Sequence, residues 1–341
     1  RRSWDLALEC ARDHRFLPTF AASLQESSDA INSVPVKVCE ALEEARHDTV
    51  HRNMAFYAQA IHLAEVLNGG NIVPVFLKGT ALLLASRGEN VGRREQIDID
   101  LVVPPSQRHV ACDLLQASGY QFVPLQKNGH LDMSARRLDT AKALMVSRHH
   151  HHLPPLVHPQ RPVVVELHKY QLPGEFDQET LLRDLIATSS EHRSHGVIFR
   201  TPSPENQIIQ LVLGNFVHDG HASAFRVPAR ALDDYIAIKR SCLGHSRKIH
   251  WAKVRSACGR AFEKFDRLSH MVLDDEAEQA GSISDQFRCL IFTTRYESPG
   301  LGVSLDKWAR LSYLLKTSVK SPGKIYGKMQ GEFQRAQQKL S

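Results

Sequence analysis

Two apolar runs with alternating acids, Asp98-Ile99-Asp100-Leu101-Val102-Val103 and Val163-Val164-Val165-Glu166-Leu167-His168, narrow the possible folds of this chain more than any other feature. Both have the branched residues and the period of two that predict a buried strand with one polar face. Side chains alternate across a strand, so Asp98 and Asp100 share one face while Ile99, Leu101 and Val103 point to the other. In the second run Val164, Glu166 and His168 share a face, opposite Val163, Val165 and Leu167. Two carboxylates on one strand face form a clamp for a divalent cation, and Glu166 would complete it if the strands are neighbours. Hard oxygen donors of this kind suit Mg2+, which keeps some waters and takes substrate phosphates as well. A polar sheet face is the plain alternative, although carboxylates beside Leu101-Val102-Val103 are costly without compensation.

The surrounding sequence predicts an α+β fold, a small mixed-sheet core flanked by N-terminal and C-terminal helical regions. Residues 1–70 carry helical stripes, among them Val36, Cys39, Leu42 and Ala45, then Phe56, Ala60, Leu63 and Leu67, and Asn68-Gly69-Gly70-Asn71 is a helix stop. The core is expected over 71–172. It would hold strands at Ile72–Leu77, Ile97–Val103, Tyr120–Leu125 and Val163–His168, a helix at Ser106–Ser118, and a polar connection at His149–Pro159. A predominantly helical region over 173–300 follows, with helices at Pro204–Val217, Ala229–Arg240, Trp251–Phe265 and Leu268–Ala280, and then a basic tail over 301–341 with a helix at Lys307–Leu315.

The succession Lys78-Gly79-Thr80, Arg94, Asp98-Ile99-Asp100-Leu101-Val102-Val103, Gly119-Tyr120 and Glu166-Leu167-His168 resembles the nucleotidyltransferase superfamily typified by DNA polymerase beta. More narrowly, it is similar to the uncharacterised bacterial nucleotidyltransferase family found in polysaccharide and lasso-peptide gene clusters. The resemblance extends from the N-terminal helices to about Arg240, and the Asp-x-Asp core with its preceding Gly-Thr is its most specific part. It implies that Asp98, Asp100 and Glu166 are the catalytic carboxylates and hold Mg2+ (or Mn2+), with Asp98 and Asp100 bridging two ions and Glu166 assisting removal of the acceptor's proton. It also implies nucleotide binding by Lys78, Gly79, Thr80, Arg94 and His168. Glycine lets the backbone approach a phosphate, the following helix presents its positive end, and Lys78 and Arg94 supply cationic donors. An ion pair of Arg94 with Glu89 or Glu95 is the bland reading, and Arg93 is an equally basic neighbour. Seventeen residues separate Thr80 from Asp98, a longer loop than the superfamily usually has, and Glu replaces the commoner Asp at the third position.

The expected activity is therefore Mg-dependent transfer of a nucleoside monophosphate from a nucleoside triphosphate, ATP in the first instance, to a hydroxyl or phosphate of an acceptor that the sequence does not name. That acceptor could be a small molecule, a peptide, a carrier or an RNA, and pyrophosphate would be released. Rival readings are a nucleotide-binding scaffold of the same fold without turnover, and an RNA-modifying nucleotidyltransferase or toxin.

Charge bears on the last of these. The tail from Leu301 has eight Lys or Arg against Asp306 and Glu332, and so supplies the whole of the chain's net +6. It could attract RNA or another polyanion, whereas a solvated basic end is the plainer reading. No run of 18 apolar residues is present and Arg1-Arg2-Ser3-Trp4 is no secretory leader, so a cytoplasmic protein without a membrane span is expected. Six scattered cysteines, Cys10, Cys39, Cys112, Cys242, Cys258 and Cys289, read as reduced packing residues. His149-His150-His151-His152 reads as a solvated loop at the site's rim, since consecutive residues cannot all face one ion. The sharper alternative has one or two of them touching phosphate or orienting Glu166. Asn215, His218, Asp219, Asp233 and Asp234 are expected to line a pocket or, more plainly, to cap and pair helices. Pro322-Gly323-Lys324 lacks the flanking elements of a phosphate loop.

Overall fold

A computed structural model describes residues 2–273 apart from 14, 27–33, 87–90, 127–129, 148–149, 170–171, 173–176, 220, 223–226 and 245. The basic tail with its expected helix at 307–315, the Pro322-Gly323-Lys324 turn and the part of the expected helix beyond 273 lie outside the described residues. So do Glu89, His149 and Cys289. The chain divides into two compact units. The first comprises Arg1–Pro124, Leu131–Ile208 and Asp233–Ile249, and the second Leu125–His130, Ile209–Leu232 and the residues from His250 onward.

The first unit is built on a seven-stranded mixed sheet, so the α+β class holds. In chain order the strands are β1 (Val75–Phe76), β2 (Asp98–Val102), β3 (Gln121–Phe122), β4 (Leu156–His158), β5 (Arg161–His168), β6 (Ser190–Ser194) and β7 (Val197–Thr201). They lie in the order β3-β4-β5-β2-β1-β7-β6. β2 runs parallel to β5 and antiparallel to β1, and β1 runs parallel to β7.

Alternation along β2 and β5 decides what each sheet face meets. Ile99, Leu101, Val163, Val165 and Leu167 join one large buried cluster with Phe56, Ala60, Leu63 and Leu67 of the long helix Val36–Gly69. Those four helix residues recur at the spacing that makes one apolar stripe. A full burial of each such side chain is worth about 1.5–3 kcal/mol. On the other face Val102 packs with Val75, Leu77 and, from the helix Gln178–Thr188, Leu182 and Leu185. Gln59 donates to the Val163 carbonyl (2.8 Å) and accepts from the Val163 amide (3.1 Å), pinning the start of β5 to the long helix.

Several elements differ from the sequence expectation. The stretch after 172 is not only helical, because β6 and β7 form a hairpin that extends the sheet beyond β1. Its tight turn, His195-Gly196, has both residues at positive φ (50° and 81°), the geometry that matches the natural twist of two strands. β6 reads Ser-Glu-His-Arg-Ser, too polar to register as a strand. The connection at His149–Pro159 contains β4, and Leu153 donates its amide to the Leu167 carbonyl (2.9 Å), so part of this segment pairs with the sheet. Short helices at Thr140–Val146 and Gln178–Thr188 are additional.

In the second unit the expected helix Trp251–Phe265 is two, Trp251–Cys258 and Arg260–Leu273, because Gly259 breaks it at φ 53°. Phe216 packs edge-on against Phe265 at 5.3 Å. Phe216 belongs to a π-helical turn, Leu211–His218, that continues the helix Pro204–Gln210. Among the described residues, no helix is long and apolar enough to cross a membrane. Cys39, Cys112, Cys242 and Cys258 are free thiols.

Candidate active site

Parallel pairing of β2 with β5 sets Asp98 opposite Val164, Asp100 opposite Glu166 and Val102 opposite His168. Directly paired residues point to the same face, so Asp98, Asp100, Glu166 and His168 all project from the face that carries Val102. The register is fixed by burial on the reverse side, since a slip of one residue would drive Ile99 and Leu101 out of the large core.

Asp100 is the buried centre of the group, 2% exposed. Its Oδ1 accepts from Lys78 Nζ at 2.7 Å and from His168 Nε2 at 2.7 Å. His168 Nε2 also lies 3.5 Å from Glu166 Oε2, and one ligand atom from each of Asp100, Glu166 and His168 falls within 4.8 Å of the others. The imidazole has no exposure, whereas Glu166 is 20% and Lys78 34% exposed and Asp98 is half-buried, so the cluster reaches solvent at Lys78, Glu166 and Asp98.

The charges hold one another. Burial alone would raise the Asp100 carboxyl, but the ammonium of Lys78 and the hydrogen bond from His168 keep it well below the usual carboxylate range. Burial would lower Lys78, and Asp100, Glu166 and Asp98 more than reverse that, so the ammonium stays protonated. Burial likewise opposes ionisation of Glu166, yet His168 and the nearby His152 bring it below its ordinary value. His168 itself sits above an ordinary histidine: burial and Lys78 push it down, and its bonds to Asp100 and Glu166 prevail.

Lys78 begins the helix Lys78–Ala85 with φ 48°, a left-handed backbone that a residue with a Cβ adopts only where its surroundings impose it. The adjacent Leu77 amide donates to the Asp100 carbonyl (2.9 Å), so backbone and side chain of this turn both grip the second strand acid. Thr80 is buried and its hydroxyl faces the Asp98 carbonyl at 3.4 Å. Gly79 has a packing role: a Cβ there would run into the Arg94 guanidinium and the Gln96 amide oxygen.

Arg94 is held by a partner that spacing along the sequence could not reveal. Its Nε and Nη2 donate to the two oxygens of Asp234 (2.5 and 3.0 Å), and Nη1 donates to Gln96 Oε1 at 2.6 Å. Arg93 pairs with Glu26 at 2.5 Å and lies 3.8 Å from Asp233, whose carboxyl is raised by burial and by the neighbouring Asp234. Glu95 pairs with Arg52. Of the two plain readings of Asp233 and Asp234, pairing is therefore the one observed. Asn53 organises this loop from the long helix, donating to the Val91 and Arg94 carbonyls (2.6 and 2.7 Å) and accepting from the Gln96 amide (3.3 Å). Neither Asn53 nor Gln96 carries a sequence signal, because Asn53 bonds only backbone groups and Gln96 meets Arg94 through its side chain without any periodic pattern.

His152 bridges to His168 in an antiparallel pair, which puts it on the face of Glu166, with ring centroids 5.7 Å apart. His151 and His152 of the histidine run are thus held against the end of β5, beside the cluster. His150 is exposed.

A family model described as uncharacterised nucleotidyltransferase matches residues 1–258 of the chain. No curated protein matches it.

Proposed function

The chain belongs to this nucleotidyltransferase family, and from that premise we propose that it transfers a nucleoside monophosphate, AMP in the first instance, from a nucleoside triphosphate to a hydroxyl or phosphate oxygen of an acceptor. The attacking oxygen forms a bond to the α-phosphorus, the bond from that phosphorus to the β-bridging oxygen breaks, and pyrophosphate leaves. The carboxylate of Glu166, partly exposed and facing Asp100 across the strand pair, takes the acceptor's proton.

The donor set suits a divalent cation: converging carboxylates of Asp100 and Glu166, with Asp98 on the same strand face. These three acids would hold magnesium or manganese, which when bound neutralises phosphate charge and orients the triphosphate. Lys78, the ammonium beside Asp100, is placed to turn toward a phosphate oxygen when a second cation competes for that carboxylate. The Gly79-Thr80 turn and the positive end of its helix complete the phosphate side. Arg94 acts through its grip on the loop before β2 and on Asp234, holding the first strand acid in place.

The observation that carries this reading is the pairing of Asp100 with Glu166 on one open sheet face. Incubation with α-labelled nucleoside triphosphates, a divalent cation and a cell lysate tests it. The parent should label an acceptor, and Asp98→Asn and Glu166→Gln should each lower that labelling by at least a hundredfold. Equal labelling by parent and variants would refute it.

A further inference from the structure

One nitrogen of His168 is aimed at both acids that would hold a cation. Its Nε2, the atom aimed at both acids, lies 2.7 Å from Asp100 Oδ1 and 3.5 Å from Glu166 Oε2. Two donors each about 2.1 Å from one ion are roughly 3.0 Å apart at a right angle and roughly 3.4 Å apart at the tetrahedral angle. The two contacts of Nε2 bracket that range, and one ligand atom from each of the three residues lies within 4.8 Å of the others, close enough for small side-chain shifts to bring them onto one cation. Resting on the nucleotidyl-transfer reading, we infer that the cation site is a mixed nitrogen and oxygen site, Asp100, Glu166 and His168, with the incoming ion replacing the Nε2 proton, which leaves to solvent. The site thus prefers Mn2+ or a similar borderline ion to Mg2+.

Chemistry supports the preference. Mg2+ demands near-octahedral oxygen coordination and sheds water reluctantly, whereas imidazole is a good donor to first-row transition ions. Burial of His168 on the sheet, with its backbone fixed by the Val102 pairing, leaves the ring little freedom to withdraw. The selectivity would thus be set by one residue, two positions beyond the third acid.

Metal binding alone, without nucleotide, tests this. The parent chain, stripped with EDTA and loaded with Mn2+, should show directly coordinated nitrogen in electron spin echo modulation, and competition should give Mn2+ at least tenfold tighter than Mg2+. His168→Asp should bring the two ions to within about threefold and remove the nitrogen signal. His152→Gln takes away the neighbouring ring and should keep the signal, which assigns the nitrogen even if the His168 variant does not fold. Bound Mn2+ without nitrogen coupling, or a signal lost in His152→Gln, would overturn the inference and leave the acidic site standing. Failure of the parent to bind either ion, or binding untouched in both Asp100→Asn and Glu166→Gln, would remove the site altogether.

Discussion

Asp100→Asn in metal-free buffer separates two pictures of the site by the sign of its effect on stability. Sequence alone suggests that removing one of three neighbouring carboxylates relieves repulsion and leaves the fold intact. The structure reverses that sign, because Asp100 is the counter-ion of both Lys78 and His168 through one oxygen. Breaking a buried ion pair from one side costs about 3–5 kcal/mol. Two features reduce the figure here. Lys78 is 34% exposed and can turn its ammonium toward water, and His168 can shed its proton instead of staying charged. The expected loss is about 2–3 kcal/mol, the scale of one or two charge-assisted hydrogen bonds. Urea unfolding followed by circular dichroism in EDTA measures it. In the double variant with Lys78→Met the loss should shrink by about 1 kcal/mol or more, since the stranded charge is gone. An Asp100→Asn chain as stable as the parent, or more stable, would refute the counter-ion account.

Gly79→Ala should destabilise by about 1–3 kcal/mol in the same assay, because the added methyl displaces the Arg94 guanidinium and Gln96 from their contact with the turn. Asn53→Ala, which strands the Val91 and Arg94 carbonyls, should cost about 2–3 kcal/mol and lower transfer as the loop before β2 loosens, readable as parallel falls in melting temperature and labelling. Burial pushes the Cys112 and Cys258 thiols up to about 12. Between the ordinary thiol value of about 8.5 and 12 the unfolded chain loses protons that the native one keeps. The thiols' contribution to stability should therefore be flat below about pH 8 and fall above it, by up to about 1.4 kcal/mol per pH unit for each thiol. Cys112→Ala should make that fall shallower, and an unchanged slope would contradict the assignment.

What was legible in the sequence had a short-range physical cause. Alternation alone placed Asp98 with Asp100 and Glu166 with His168 on single faces, whereas it leaves open whether the two strands are neighbours, and their register is a finding of the structure. The helices of the first seventy residues followed from apolar spacing. What escaped depends on distant partners or on weak local patterns. Asp234 reaches Arg94 from 140 residues away, and no spacing rule connects them. β6 is wholly polar and owes its place to pairing with β7 and to the His195-Gly196 turn. The segment at His151–Leu153 looks like a loop because its order comes from backbone bonds to the end of β5, in which side chains leave no trace. The burial of Thr80 was hidden for the same reason, since its partner is a carbonyl.

The most direct test of nucleotidyl transfer compares two labels on one nucleotide. With ATP carrying label at either the α or the γ phosphorus, a divalent cation and lysate, the account predicts that the α label appears on the acceptor while the γ label leaves as pyrophosphate, both lost in Glu166→Gln. Transfer of the γ label instead, or α labelling that survives in Glu166→Gln, would contradict it.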